Sequence, residues 1–170
     1  RIVWIGSPST GKYLAELQKP LQELSLRHKF VLRVIGARLE MPGVDVECVG
    51  WSEMSEVDSI SQCDIGIMPL ADSPWERGKC GYKLIQYMAV SLPVVASPIG
   101  VNVDIVAEGQ NGFLAASPAE WTNKLGLLLD DSNLRRRMGA EGRSLVERGY
   151  CSQQSGPRLV GLLKKAIAGC

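Results

Sequence analysis

Apolar runs closed by glycine or proline set the rhythm of the first half of this chain. Residues 1–5 (RIVWI) stop at Gly6, residues 30–35 (FVLRVI) at Gly36, and residues 64–70 (DIGIMPL) carry Pro69 near their end. Runs of this length and composition suit strands buried on both faces of a parallel sheet. Residues 44–49 (VDVECV) alternate apolar with polar and stop at Gly50, which predicts a further strand. Helical spacing fills the gaps. Leucines 14, 17, 21 and 24 recur at the helix period, with Pro20 expected to kink or restart that helix. Ser52 reads as the cap of another helix, with Val57 and Ile60 on its inner side.

The second half continues the alternation. A short amphipathic helix over 82–90 leads into a buried strand over 93–96, one helical turn over 104–108, and a turn into a final strand over 110–114. Ser117 and Ser132 then cap two helices, through Leu129 and Val146, and a last helix runs from Ser152 or Gln153 to Ala168. Strand, loop and helix in this order predict a doubly wound, Rossmann-like α/β fold. Its sheet is mainly parallel, with about six strands and helices on both faces. Ligands of such folds collect beyond the carboxyl ends of the strands, where Gly6, Gly36, Gly50, Pro69 and Ser97 fall.

Composition narrows the function classes. The 170 residues fit one domain with a real core. A net charge of +1 gives no reason to expect nucleic acid or an anionic membrane as a bulk partner, so any basic function is local. No apolar run approaches the ~20 residues that span a bilayer, and no signal segment opens the chain. A cytoplasmic location is expected. The five cysteines (48, 63, 80, 151 and 170) form no metal-binding or disulfide pattern, and Cys48 and Cys63 are expected to be buried in a reducing compartment. His28 ends a helical pattern and reads as a capping or surface residue rather than a catalytic one. Arg1 sits directly on a strand pattern, which predicts a fragment of a longer protein.

Two stretches carry candidate chemistry. Residues 75–102 (WERGKCGYKLIQYMAVSLPVVASPIGVN) feed a polar, glycine-punctuated loop into a helix amino-terminus beside Lys79 and Lys83. Unpaired N–H groups, the positive end of the helix dipole and two lysines together suit an anionic ligand. Residues 6–12 (GSPSTGK) satisfy most of the phosphate-binding pattern G-x-x-x-x-G-K-[ST], but Tyr13 stands where a small magnesium-binding hydroxyl belongs and Pro8 removes an N–H. A nucleotide hydrolase is therefore a second expectation, and a noncatalytic binding module a third.

The segments DIGIMPL, KCGYKLIQYMAVSLPVVASPIGVN and EGQNGFL together resemble the donor-binding half of GT-B glycosyltransferases, the retaining, nucleotide-sugar-dependent group often called family 4. The resemblance covers essentially the whole chain, and residues 63–114 are its most specific part. The family loop of the type E-G-F-G corresponds to Gly78, Lys79, Cys80 and Gly81. The helix bearing E-x-M-A corresponds to Gln86, Met88 and Ala89, and G-x-P-V-V-A to residues 91–96. Of the family's two glutamates, seven residues apart, neither is present: Gly78 and Gln86 stand in their places.

The resemblance implies transfer of a sugar, with retained configuration, from a nucleotide diphosphate sugar to an acceptor hydroxyl. Lys12 and Lys83 are then expected to stabilise the diphosphate leaving group, with Ser7 in the place of a family arginine after Gly6. Donor contacts are expected from Gly6, Ser7, Trp51, Gly78, Lys79, Cys80, Gly81, Tyr82, Leu84 and Gln86. In this set Gln86 faces the ribose, Trp51 lies near the base, and Glu76 is a loose candidate for the sugar. Neither a metal nor another cofactor is expected. The acceptor site and any catalytic base belong, on this reading, to a missing amino-terminal domain, and membrane association is expected only through that domain.

Overall fold

The computed structural model describes residues 1–168, so Cys170 lies outside the described residues. Strand β1 (Ile2–Ile5) pairs with β2 (Leu32–Ile35) on one side and β4 (Ile65–Met68) on the other; β3 (Val46–Val49) extends the first edge, β5 (Val94–Ala96) and β6 (Gly112–Leu114) the second. The order is β3-β2-β1-β4-β5-β6, parallel at every pair. The expected doubly wound, Rossmann-like sheet is therefore observed, entirely parallel. Its topological switch lies between β1 and β4, whose carboxyl ends border the natural ligand crevice of such a sheet.

Every residue of β1, β2 and β4 is buried, because helices cover both faces. Alternate residues serve opposite layers. Ile2 and Trp4 join the leucines of α1 (Lys12–Ala15) and α2 (Gln18–Ser25) and Trp121, Leu125 and Leu128 of α7 (Pro118–Asp130). Val3 and Ile5 point the other way, to Ile60 of α3 (Glu56–Ser61) and Leu84, Tyr87 and Met88 of α5 (Tyr82–Ala89). Helix α8 (Ser132–Gly149) reaches both layers through Met138 and Val146. Helices α4 (Pro74–Arg77) and α6 (Asn102–Ile105) are single turns, and α9 (Ser152–Ala168) buries no residue.

One contact anchors the α5 helix to the sheet. The fully buried Tyr87 accepts the Ile5 N–H at 3.0 Å and donates to the Ile67 carbonyl at 3.4 Å, spanning β1 and β4 from below. Its ring lies where a Cβ on Gly66 would come within 2.4 Å, so the glycine within DIGIMPL makes room for the tyrosine.

The restart expected at Pro20 is observed: the helical region after Gly11 breaks at Glu16 and Leu17, placing Pro20 in the first turn of α2, where a missing N–H costs nothing. Several other local expectations are corrected. Ser52 caps a turn, accepting the Ser55 N–H at 3.2 Å, and the helix begins only at Glu56, with Val57 on its exposed side. Asp131, not Ser132, caps α8, its carboxylate accepting the N–H groups of Asn133 and Leu134. Cys48 is exposed on the edge strand, unlike the buried Cys63. Ser117 does cap α7, in a capping box with Glu120.

Candidate functional site

The carboxyl ends of β1 and β2 and the amino-terminus of α5 enclose a cleft of ≈ 380 Å³ lined by Ile5, Gly6, Ser7, Pro8, Gly36, Trp51, Glu56, Tyr82, Lys83 and Gln86. Pro8, Gly36 and Trp51 also border an adjoining hollow toward Arg38 and Cys48. Of the residues expected from the sequence, Gly6, Ser7, Trp51, Tyr82, Lys83 and Gln86 are thus brought together in one wall. Trp51 lines the cleft while standing half in solvent.

The loop before α5 is shaped for this position. Gly81 adopts φ 69°, and a Cβ there would lie 2.4 Å from the Ile105 side chain, so only glycine turns the chain into the helix this tightly. The Gly81 carbonyl takes the Leu84 N–H at 2.9 Å, and the first-turn N–H groups of Tyr82 and Lys83 are left without intrahelical acceptors. The N–H groups of Cys80 and Gly81 likewise have no hydrogen-bond partner among the described residues. Gly78 and Cys80 are exposed in this loop. Leu84 is corrected: it is fully buried in the core and its N–H is spent on Gly81, so it offers a ligand nothing.

Three lysines gather around two rings. Lys12 Nζ lies 5.3 Å and Lys79 Nζ 4.4 Å from the centre of the Tyr13 ring, while Lys83 Nζ sits 4.7 Å from the Trp4 ring. Burial, reinforced by the charge of Lys79, pulls the Lys83 ammonium down to about 8. Burial also lowers Lys79, against the pull of Glu76 and with a push from Lys12. None of the three makes an ion pair among the described residues. Like charges gathered in this way, with Lys79 and Lys83 partly dehydrated, are costly alone and suited to an anion.

Glu76 is not available to a ligand. It is buried and accepts hydrogen bonds from Ser73 and Tyr13, which hold its carboxyl below the usual range and push the Tyr13 phenol up to about 12. The same tyrosine disposes of the phosphate-loop expectation. Residues 8–10 wind into a 3₁₀ turn, and the Thr10 and Gly11 N–H groups donate to Ser7 and Pro8 carbonyls rather than opening into an anion cradle. A nucleotide hydrolase of the P-loop kind is not supported.

The sequence reading missed Glu56. Its two carboxylate oxygens accept one hydrogen bond each, from the Trp51 indole N–H and the Gln86 amide. The amide must present nitrogen to a carboxylate, since its oxygen would be repelled. The signal for Glu56 was weak: it depended on the helix starting four residues after Ser52, which brings position 56 beneath Trp51.

A partly apolar cleft at the carboxyl ends of a parallel sheet, with Lys83 in its lining, defines a ligand-binding domain of the doubly wound class. The chain belongs to the glycosyl transferases group 1 family, whose model matches residues 1–131. It is 40% identical over 63 residues to D-inositol 3-phosphate glycosyltransferase of Corynebacterium efficiens, an overlap of 36% of this chain and 15% of that one. Its fold is similar to that of Anabaena HepE, solved in complex with UDP and glucose, at TM-score 0.78 and 16% identity, covering 96% of this chain and 48% of that one. It is also similar to the C-terminal domain of a group 1 glycosyl transferase from Francisella tularensis, at TM-score 0.68 and 19% identity, covering 88% and 84%. The chain spans less than a third of the length of the curated relatives it matches. The fold is that of a GT-B glycosyltransferase domain.

Proposed function

We propose that this chain is the donor-binding domain of a two-domain retaining glycosyltransferase, which transfers a sugar from a nucleotide diphosphate sugar to an acceptor hydroxyl. The observation that carries this is the convergence of Lys12, Lys79 and Lys83 with the free N–H groups at the start of α5, beside a cleft walled by Trp51. Breaking the sugar–phosphate bond leaves negative charge on the departing diphosphate. Fixed cations and N–H groups that strengthen their hold as this charge grows lower the barrier, without requiring a metal. Lys12 and Lys83 are the leaving-group stabilisers, the loop at Cys80 and Gly81 grips the sugar through its main chain, and Trp51 lies against the base.

The acceptor site and any catalytic base would then belong to a separate amino-terminal domain, a reading supported by the chain's coverage of about half of Anabaena HepE. The apolar residues left exposed on α9, among them Leu159, Leu163 and Ile167, suit packing against that domain. Membrane association would occur only through it. Among the described residues no helix is long and apolar enough to cross a membrane.

Calorimetric titration tests the proposal. UDP, GDP or ADP should bind without magnesium, and Lys12→Ala and Lys83→Ala should each weaken that binding about tenfold, the effect of roughly 1.4 kcal/mol. Binding of ATP that depends on magnesium would overturn it in favour of a hydrolase. Failure of all three diphosphates to bind would leave a module without a nucleotide site.

A further inference from the structure

We propose that Glu56, on α3, is the residue that recognises the ribose of the bound nucleotide. The inference rests on the donor-domain reading above. It begins with the hydrogen bonds: Trp51 donates to one carboxylate oxygen of Glu56 and Gln86 to the other. A carboxylate accepts at about four lone-pair positions and donates at none. One position on each oxygen is taken, and one on each remains. Two neighbouring acceptors on a rigidly held carboxylate match the two vicinal hydroxyls of a ribose, each of which has a proton to give.

The surroundings fix this group in place. Glu56 opens α3, whose Ile60 is anchored in the core, and its side chain lines the cleft beside Lys83 and Tyr82. Trp51 and Gln86 hold it from two different elements, so the carboxylate cannot rotate away without breaking one of the bonds. Gln86 in turn is oriented by Glu56 and faces it with its donor end. The glutamine is therefore a positioning residue, and Glu56 is the acceptor. Glutamate at position 86 would instead set two carboxylates against each other, which accounts for the pairing of Gln86 with Glu56 in this chain.

The test compares UDP, GDP and ADP with their 2′-deoxy counterparts by calorimetry on the wild-type chain and on Glu56→Gln. The wild type should prefer the ribonucleotide at least tenfold. Glu56→Gln should lose about tenfold of ribonucleotide affinity and leave the deoxynucleotide within about twofold, so that the preference collapses. Lys83→Ala should weaken both sugars alike and keep the preference. The double variant Glu56→Gln with Gln86→Glu should restore the preference by moving the carboxylate across the same hydrogen bond to position 86, which separates recognition from a mere loss of structure. A preference unchanged in Glu56→Gln, or absent in the wild type while nucleotides still bind, overturns the role of Glu56 alone. Absence of binding by every diphosphate overturns the donor-domain reading and this inference with it.

Discussion

Lys83 is held half-buried against the Trp4 ring, with Lys79 pressing on it, and its ammonium titrates at about 8 in the folded chain. An unfolded lysine titrates at ~10.4. Between these values the unfolded chain binds the extra proton, so stability rises with pH across that window. Below pH 8 both states are protonated and the full cost of burying the charge is present. Lys83→Met should therefore flatten the pH dependence between about pH 8 and 10 and raise the melting temperature at pH 7 by about 2–4 °C, the shift that roughly 1 kcal/mol produces in a domain of this size. The same variant should bind UDP, GDP and ADP more weakly. A stabilised variant with unweakened binding would show that the charge is an accident of packing. Wild-type affinity for a diphosphate should also fall as pH rises from 7 to 9, because the free protein loses the Lys83 proton in that range. Glu56 belongs to the same scale. The lysines could be found by counting from a glycine or a helix start, whereas Glu56 is joined to Gln86 only by the fold, thirty residues away.

At the scale of elements, the strands were legible because burial on both faces demands continuous apolar runs, and 1–5, 30–35 and 64–70 supply them. Helix starts were less so. Serine hydroxyls cap turns as readily as helices, and at Ser52 the turn won; the single turn at Pro74–Arg77 is too short to show a period. The placement of α5 was legible, but its anchoring was not, since nothing local connects Tyr87 with Gly66 and Ile5. That anchor gives a prediction. Gly66→Ala forces a methyl to 2.4 Å from the Tyr87 ring in a buried layer, and should cost about 1–3 kcal/mol through overpacking. Tyr87→Phe leaves the Ile5 N–H buried without its acceptor, and should also cost about 1–3 kcal/mol. Urea denaturation measures both. Because the two changes act on one contact, the double variant should fall short of the sum, as alanine at 66 can displace the ring from a hydrogen bond already lost.

Across the whole molecule, the doubly wound order puts β1 at the centre with a helix layer on each side, and the cleft opens where the central strands end. Five residues of the cleft lining are tied into these two layers: Ile5 and Gly36 through the sheet, Lys83 and Gln86 through α5, Glu56 through Ile60. Helix α9 stands apart. It runs for 17 residues without one buried side chain, while Leu159, Val160, Leu162, Leu163 and Ile167 remain exposed. A helix of that length with no buried residue is marginal in water, and it adds almost nothing to the apolar area removed from solvent. Deleting residues 152–170 should then leave the melting temperature within about 2 °C and nucleotide binding unchanged, because neither core layer loses a side chain. Hydrogen exchange on the intact chain should find the α9 amides far less protected than those of α8, which packs on α5 through Gly142 and Met88. A drop of more than about 5 °C on deletion, or slow exchange along α9, would show that the helix is part of this domain's own stability rather than a surface held ready for another.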